Sequence, residues 1–171
     1  YSEDAGPVRV DLSGIGGDGS TGSGTATDGG GGTDVLRNVF GLVGSSFNDT
    51  LIGSTALTFE NFEGGAGDDT IDGGEITDLA NNRNINRVTY QNSPSAVTVD
   101  LAAGTAVGYG TDTLVNINSV RGSAEGDVLR GSDRTATPEH FEGRAGNDTI
   151  DGRGGFDWAR YDNASSAIVA S

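Results

Sequence analysis

Apolar and polar residues alternate along two short stretches, Val8-Arg9-Val10-Asp11-Leu12 and Val97-Thr98-Val99-Asp100-Leu101. This period of two is the signature of a half-buried strand. Elsewhere a single apolar residue stands two places before a glycine: Leu42, Leu51, Phe62 and Ile71, then Val120, Leu129, Phe141 and Ile150. The intervals are 9, 11 and 9 residues in the first set and 9, 12 and 9 in the second. Such intervals are too short for a helical repeat. They fit very short strands alternating with tight turns, the apolar residue of each pointing inward between two facing sheets. Only Ile76 to Val88, with Asn81, Asn82 and Asn84, breaks the pattern, and it reads as a polar connecting loop. The expected chain is all-β and nearly free of helix.

The pattern occurs twice. Thr111-Asp112-Thr113-Leu114 repeats Thr33-Asp34-Val35-Leu36, and Phe141 to Gly152 repeats Phe62 to Gly73 with two changes. Tyr1, Tyr90 and Tyr161 each stand seven residues before Val8, Val97 and Ile168. The chain therefore divides into unit one (1–89), unit two (90–160) and the opening of a third (161–171). The units differ in one loop, longer between Ser13 and Gly32 than between Ala102 and Gly110. A packing role between units is expected for the recurring tyrosines.

Composition sharpens the picture. Of 171 residues 30 are Gly, and Leu, Ile, Val and Phe together number only 36, while the net charge is −15. A chain so poor in apolar residues and so self-repelling struggles to offset its ordering entropy. A stabiliser from outside the sequence is expected. Cysteine is absent, so disulfides and thiolate metal sites are excluded. The acids are eighteen Asp against seven Glu, and all ten bases are Arg. Asp with Gly favours tight acidic turns over helix. A pI near 4.1 makes nucleic acid a poor partner. No apolar run is long enough for a membrane-spanning helix.

The acidic turns share a spacing. Gly64-Gly65-Ala66-Gly67-Asp68-Asp69-Thr70-Ile71-Asp72 and Gly29 to Arg37 both fit Gly-Gly-x-Gly-x-Asp-x-apolar-x throughout, and Gly143 to Asp151 fits with Arg144 as its one substitution. Gly152 to Arg160 keeps Asp157, degenerate copies keep Asp49, Asp112 and Asp127, and the weakest keeps Asp78. Ca²⁺ is a hard ion that takes six to eight oxygens, glycine lets a turn curl until its carbonyls converge, and one short Asp adds charge without overshooting. The rival reading is that Gly and Asp are ordinary turn formers.

These copies resemble the RTX (repeats-in-toxin, haemolysin-type) calcium-binding repeats. The resemblance implies a right-handed parallel β-roll, with several Ca²⁺ ions each shared by successive loops on one edge. It assigns the sixth-position aspartates Asp34, Asp49, Asp69, Asp78, Asp112, Asp127, Asp148 and Asp157 as ligands. The turn carbonyls it adds are those of Gly44, Ser46, Gly65 and Gly67 in unit one and Gly122, Ala124, Arg144 and Gly146 in unit two. Asp49 with Asp69, 20 residues apart, and Asp127 with Asp148, 21 apart, make the two best pairs. Asp78 and Asp157 fall on the opposite edge with poor upstream partners, and Asp34 and Asp112 have none that spacing can place.

Other residues carry less. His140 is the only histidine, read as lying in a loop, and Asn61 aligns with it, so neither catalysis nor zinc is expected. Trp158 is unique and suits an interface or ligand contact. Asn48, Asn147 and Asn163 open glycosylation sequons, the first two inside the calcium loops.

The function expected is that of a secreted calcium-binding structural or adhesive array (surface layer, adhesin or filament) at the cell surface, without enzymatic activity. The resemblance implies type I secretion. Its partners would be other copies of itself, head to tail, and surface polysaccharide. The alternatives are a folding module of an extracellular protease, lipase or alginate epimerase, or a polysaccharide-binding module.

Overall fold

The computed structural model describes residues 5–76, 84–164 and 167. Every regular element among them is a strand. The chain opens with β1 (Arg9–Asp11), β2 (Ile15–Gly16), β3 (Thr21–Gly22), β4 (Gly24–Thr27) and β5 (Thr33–Leu36). β1, β4 and β5 form an antiparallel meander, and β2 pairs with β3 in a small hairpin that takes up part of the longer loop.

From there the chain steps back and forth between two sheets through β6 (Gly41–Val43), β7 (Thr50–Ile52), β8 (Phe59–Glu63), β9 (Thr70–Asp72) and β10 (Ile85–Thr89). A second meander follows, β11 (Thr98–Asp100), β12 (Thr105–Val107) and β13 (Thr111–Val115). The alternation then resumes with β14 (Ser119–Arg121), β15 (Val128–Arg130), β16 (His140–Glu142), β17 (Thr149–Asp151) and β18 (Trp158–Ala159).

Strands β6, β8, β10, β14, β16 and β18 make a six-stranded sheet in which every pairing is parallel. The ten-stranded sheet is mixed, because each meander inserts two antiparallel pairings among the parallel ones. The two units share this order: meander, four strands alternating between sheets, then one strand of the smaller sheet before a tyrosine. Asn38 and Asn116, which align in the repeat, both adopt left-handed backbone, with φ 54 and 53.

The apolar residues marked by the nine-residue spacing form the core. Leu51, Ile71 and Leu129 from the larger sheet and Leu42, Phe62, Val120 and Phe141 from the smaller are all buried in one cluster, and Ile150 packs against it. Three-residue strands such as β7 and β9 each bury one side chain, since neighbours along a strand point to opposite faces.

Two local expectations are overturned. Ile76 to Val88 does not form a loop throughout: its end is the first four residues of β10, with Val88 fully buried. Asn84 and Asn86 are inside the protein, each with its side-chain nitrogen bonded to a backbone carbonyl and its Oδ1 left unpartnered. The Asn86 N–H donates to Asn118 Oδ1 at 2.8 Å and its Nδ2 to the Asn116 carbonyl at 3.0 Å. His140 likewise opens strand β16, paired with Ser119 and Trp158 on either side. The part of the expected loop from 77 to 83, with Asp78, lies outside the described residues.

Candidate metal centre

Two residues before each inward apolar side chain, the chain enters its strand from a turn, and there the aspartates stack. Asp49 precedes Leu51, Asp69 precedes Ile71, Asp112 precedes Leu114, and Asp127 and Asp148 precede Leu129 and Ile150 in the same way. The strands are parallel neighbours, so these positions form a column. Val8 N–H donates to Asp49 Oδ1 at 2.7 Å, Asp49 N–H to Asp69 Oδ1 at 2.8 Å, and Asp69 N–H to Asp112 Oδ1 at 3.1 Å. Unit two repeats the series, with Val97 N–H to Asp127 Oδ1 at 2.8 Å and Asp127 N–H to Asp148 Oδ1 at 2.9 Å.

Asp49 and Asp127 also close their own turns. Ser45 N–H donates to Asp49 Oδ2, and Ser123 N–H to Asp127 Oδ2 at 2.7 Å, with both serine hydroxyls adding bonds. The glycine opening each turn is required: a Cβ at Gly64, Gly122 or Gly143 would strike the carboxylate of Asp69, Asp127 or Asp148. Successive turns lie on one another just as closely. Gly67 has φ 114, and a Cβ there would stand 2.7 Å from the Phe47 carbonyl oxygen of the neighbouring turn.

Asp69 is the exception within the column. It is 1% exposed, and its Oδ2 is buried without any hydrogen-bond partner. Burial is the largest influence pushing its pKa up to about 7, and the charges of Asp112, Asp49 and Asp68 push the same way against the bond from Asp49 N–H. Burial also raises Asp112, opposed by the donors Asp69 N–H and Tyr90. Asp148 is raised by burial, and the Asp127 charge adds to it. Tyr90 donates its hydroxyl to Asp112 Oδ2 at 2.8 Å and, from burial and that neighbouring carboxylate, is held well above the usual phenol range. The column has more negative charge than its hydrogen bonds neutralise. A proton or a cation would relieve it.

The structure thus brings together Asp49, Asp69 and Asp112 in one stack and Asp127 and Asp148 in another. It gives Asp112 the partners that spacing could not: Asp69 and Tyr90. Gly44, Gly65, Gly67, Gly122, Arg144 and Gly146 line the stacked turns, with Arg144 at φ 78 in the conformation that Gly65 adopts at φ 108. Ser46 and Ala124 are exposed at the turn crowns, and Asp34 is exposed on β5. Among the described residues no three His, Cys, Asp or Glu side chains converge as a ready-made cage.

Asp157 belongs to a second column on the opposite edge. Glu139 N–H donates to Asp157 Oδ1 at 3.1 Å, Ser132 N–H and Oγ donate to Glu139, and Ser54 N–H donates to Glu60. Glu60 and Glu139 are fully buried. Sequence reasoning passed over both, because the nonapeptide specifies Asp. Their signal was the register: they stand two places before Phe62 and Phe141, the offset of Asp49 from Leu51. Longer than Asp by one methylene, each reaches a serine six or seven residues back where Asp49 and Asp127 reach four. In comparisons with known proteins, no family model and no curated protein sequence matches this chain.

Proposed function

We propose that this chain is a calcium-stabilised module of an extracellular structural or adhesive repeat array, its two sheets winding as a right-handed β-roll. The observation that carries the proposal is Asp69, a buried carboxylate between two others with one oxygen unpartnered. Hard, charged oxygen surfaces of this kind suit Ca²⁺, which tolerates irregular coordination, better than Mg²⁺, which demands a tight octahedron. Asp49 and Asp69 with the carbonyls of Gly44, Ser46, Gly65 and Gly67 would hold an ion in unit one. Asp127 and Asp148 with those of Gly122, Ala124, Arg144 and Gly146 would do so in unit two. The ion would supply charge neutralisation and tie successive turns together.

The role assigned is mechanical, not enzymatic. Carboxylates recur with the fold period, as scaffolding requires, instead of forming one singular pair as a hydrolase does. Extracellular calcium modules work with weak sites that the calcium outside cells saturates, so the chain would harden only there. Family resemblance in the glycine-aspartate turns and duplication of the unit support the same reading.

Calorimetric titration of chelated protein with Ca²⁺, with Mg²⁺ as control, tests it. Saturable Ca²⁺ binding that raises the melting temperature is expected, and Asp69→Ala or Asp148→Ala should weaken it. Absence of binding heat together with an unchanged melt overturns the proposal.

A further inference from the structure

The junction between the two units shows how one unit's end receives the next. Inside the chain β13 lies parallel to β9, with Leu114 opposite Ile71, and β14 lies parallel to β10, with Val120 opposite Val88. Thr113 N–H donates to the Asp69 carbonyl at 2.8 Å and Gly73 N–H to the Val115 carbonyl at 2.9 Å. By the repeat, β5 and β6 are the counterparts of β13 and β14, and they terminate the two sheets at one end. β17 and β18 are the counterparts of β9 and β10, and they terminate the sheets at the other. Among the described residues both halves of this internal junction therefore stand as sheet edges, and such edges are templates for strand addition.

We infer that the β17–β18 end of one chain docks on the β5–β6 end of a second copy, in the register of the internal junction. The inference rests on the array reading above and names the surfaces that build the array. In that register Leu36 faces Ile150 and Leu42 faces Ala159, extending the apolar core across the contact. The remaining pairs are complementary in ways the internal junction is not. Arg37 falls opposite Asp151, both exposed in the single chain, where the internal pair is Val115 and Asp72. Trp158 falls opposite Gly41, where nothing lies within 4 Å of a Cβ position.

The second copy also completes the carboxylate column. Asp34 takes the place of Asp112 beyond Asp127 and Asp148, and Tyr161 takes the place of Tyr90. Tyr90 is 4% exposed and Tyr161 is 51% exposed. The turn that follows is already the same in both: Ser93 N–H donates to the Tyr90 carbonyl at 2.9 Å and Ala164 N–H to that of Tyr161 at 3.0 Å. Asn92 and Asn163 bind Glu63 and Glu142 alike. The contact joins two different surfaces, so copies add in an open-ended row unless the rotation closes a ring.

Sedimentation velocity of the full chain over a concentration series, in millimolar Ca²⁺ and separately in chelator, tests the docking. In Ca²⁺ the chain should associate stepwise as concentration rises. Arg37→Asp and Asp151→Arg should each weaken association about tenfold, and combining them should restore it to within about threefold. Both side chains are exposed, so far-UV spectra and melting of the monomer should stay unchanged. A chain that binds Ca²⁺ yet stays monomeric at its highest soluble concentration overturns the docking alone, as does a double variant no stronger than the single ones. Association that is equal in chelator and Ca²⁺ overturns the metal reading alone.

Discussion

Asp69 concentrates the electrostatic cost of the fold in one side chain. Its Oδ1 has a donor in Asp49 N–H and its Oδ2 has none, while Asp112 and Asp49 are the adjacent carboxylates. Asp69→Asn keeps an acceptor for that N–H and removes the charge. In chelator at neutral pH the variant should be more stable than the native chain, because a neutral amide avoids burying a charge beside Asp112 and Asp49. In Ca²⁺ it should lose affinity, so the two melting curves should cross over between conditions. The pH dependence has the same origin. The folded chain holds the Asp69 proton up to about pH 7, against an ordinary 3.8 when unfolded. A raised carboxylate pKa means that metal-free stability is greatest below about pH 4 and falls as pH rises toward 7. Urea titrations in chelator at pH 4.5 and 7.5 should show the lower midpoint at 7.5, and saturating Ca²⁺ should remove that loss. Asp100 runs the other way. Its bond to Arg153 holds it down at about 2, so its contribution is present above the ordinary carboxylate value and lost as pH falls toward 2. That pair meets water, so its weight is small.

Strands this short owe their order to their neighbours. Three-residue strands such as β7, β9 and β15 have no independent stability, and each is held by a parallel partner on both sides. Tyr90 locks the place where one unit meets the next, since its hydroxyl binds Asp112 Oδ2 on β13. Tyr90→Phe leaves that carboxylate oxygen one donor short in a buried setting, and should cost about 1–3 kcal/mol in urea unfolding. Tyr161→Phe, at an exposed position, should stay within about 0.5 kcal/mol when the chain is dilute enough to be monomeric. Equal costs at the two tyrosines would show that the bond to Asp112 is not what the Tyr90 hydroxyl contributes. Phe62 is fully buried in the smaller sheet opposite Val88, and Phe62→Ala should cost about 3–5 kcal/mol by opening a cavity.

At the scale of the whole molecule the two units behave as one body, because β9 with β13 and β10 with β14 continue both sheets across the boundary. Hydrogen exchange in Ca²⁺ should therefore show the amides of Asp69 and Thr113, at the junction, protected as strongly as that of Leu51 within unit one. Amides of β5 and β18, at the sheet ends, should exchange faster in dilute protein and slow as concentration rises. Junction amides that open well before Leu51 would mean that the units fold separately. Removing calcium should lower protection throughout, since binding free energy is folding free energy when the unfolded chain has no site.

The all-β class, the duplication and the inward apolar residues were legible in the sequence because all three are periodic, and a period survives without knowledge of what touches what. The pairing of Asp49 with Asp69 and of Asp127 with Asp148 was legible for the same reason: their separations of 20 and 21 residues each match about one circuit of the chain. What the tertiary structure alone decided is where polarity is buried. Asn86, Glu60 and Glu139 look like surface residues until the hydrogen bonds that keep them inside are seen. Asp112 finds Asp69 across 43 residues of chain, a contact set by the meander that returns β13 beside β9. A strand's inward position can be filled by apolar carbon or by a polar group with its partners in place. Only the fold supplies those partners, so only the fold distinguishes a buried polar column from a solvated loop.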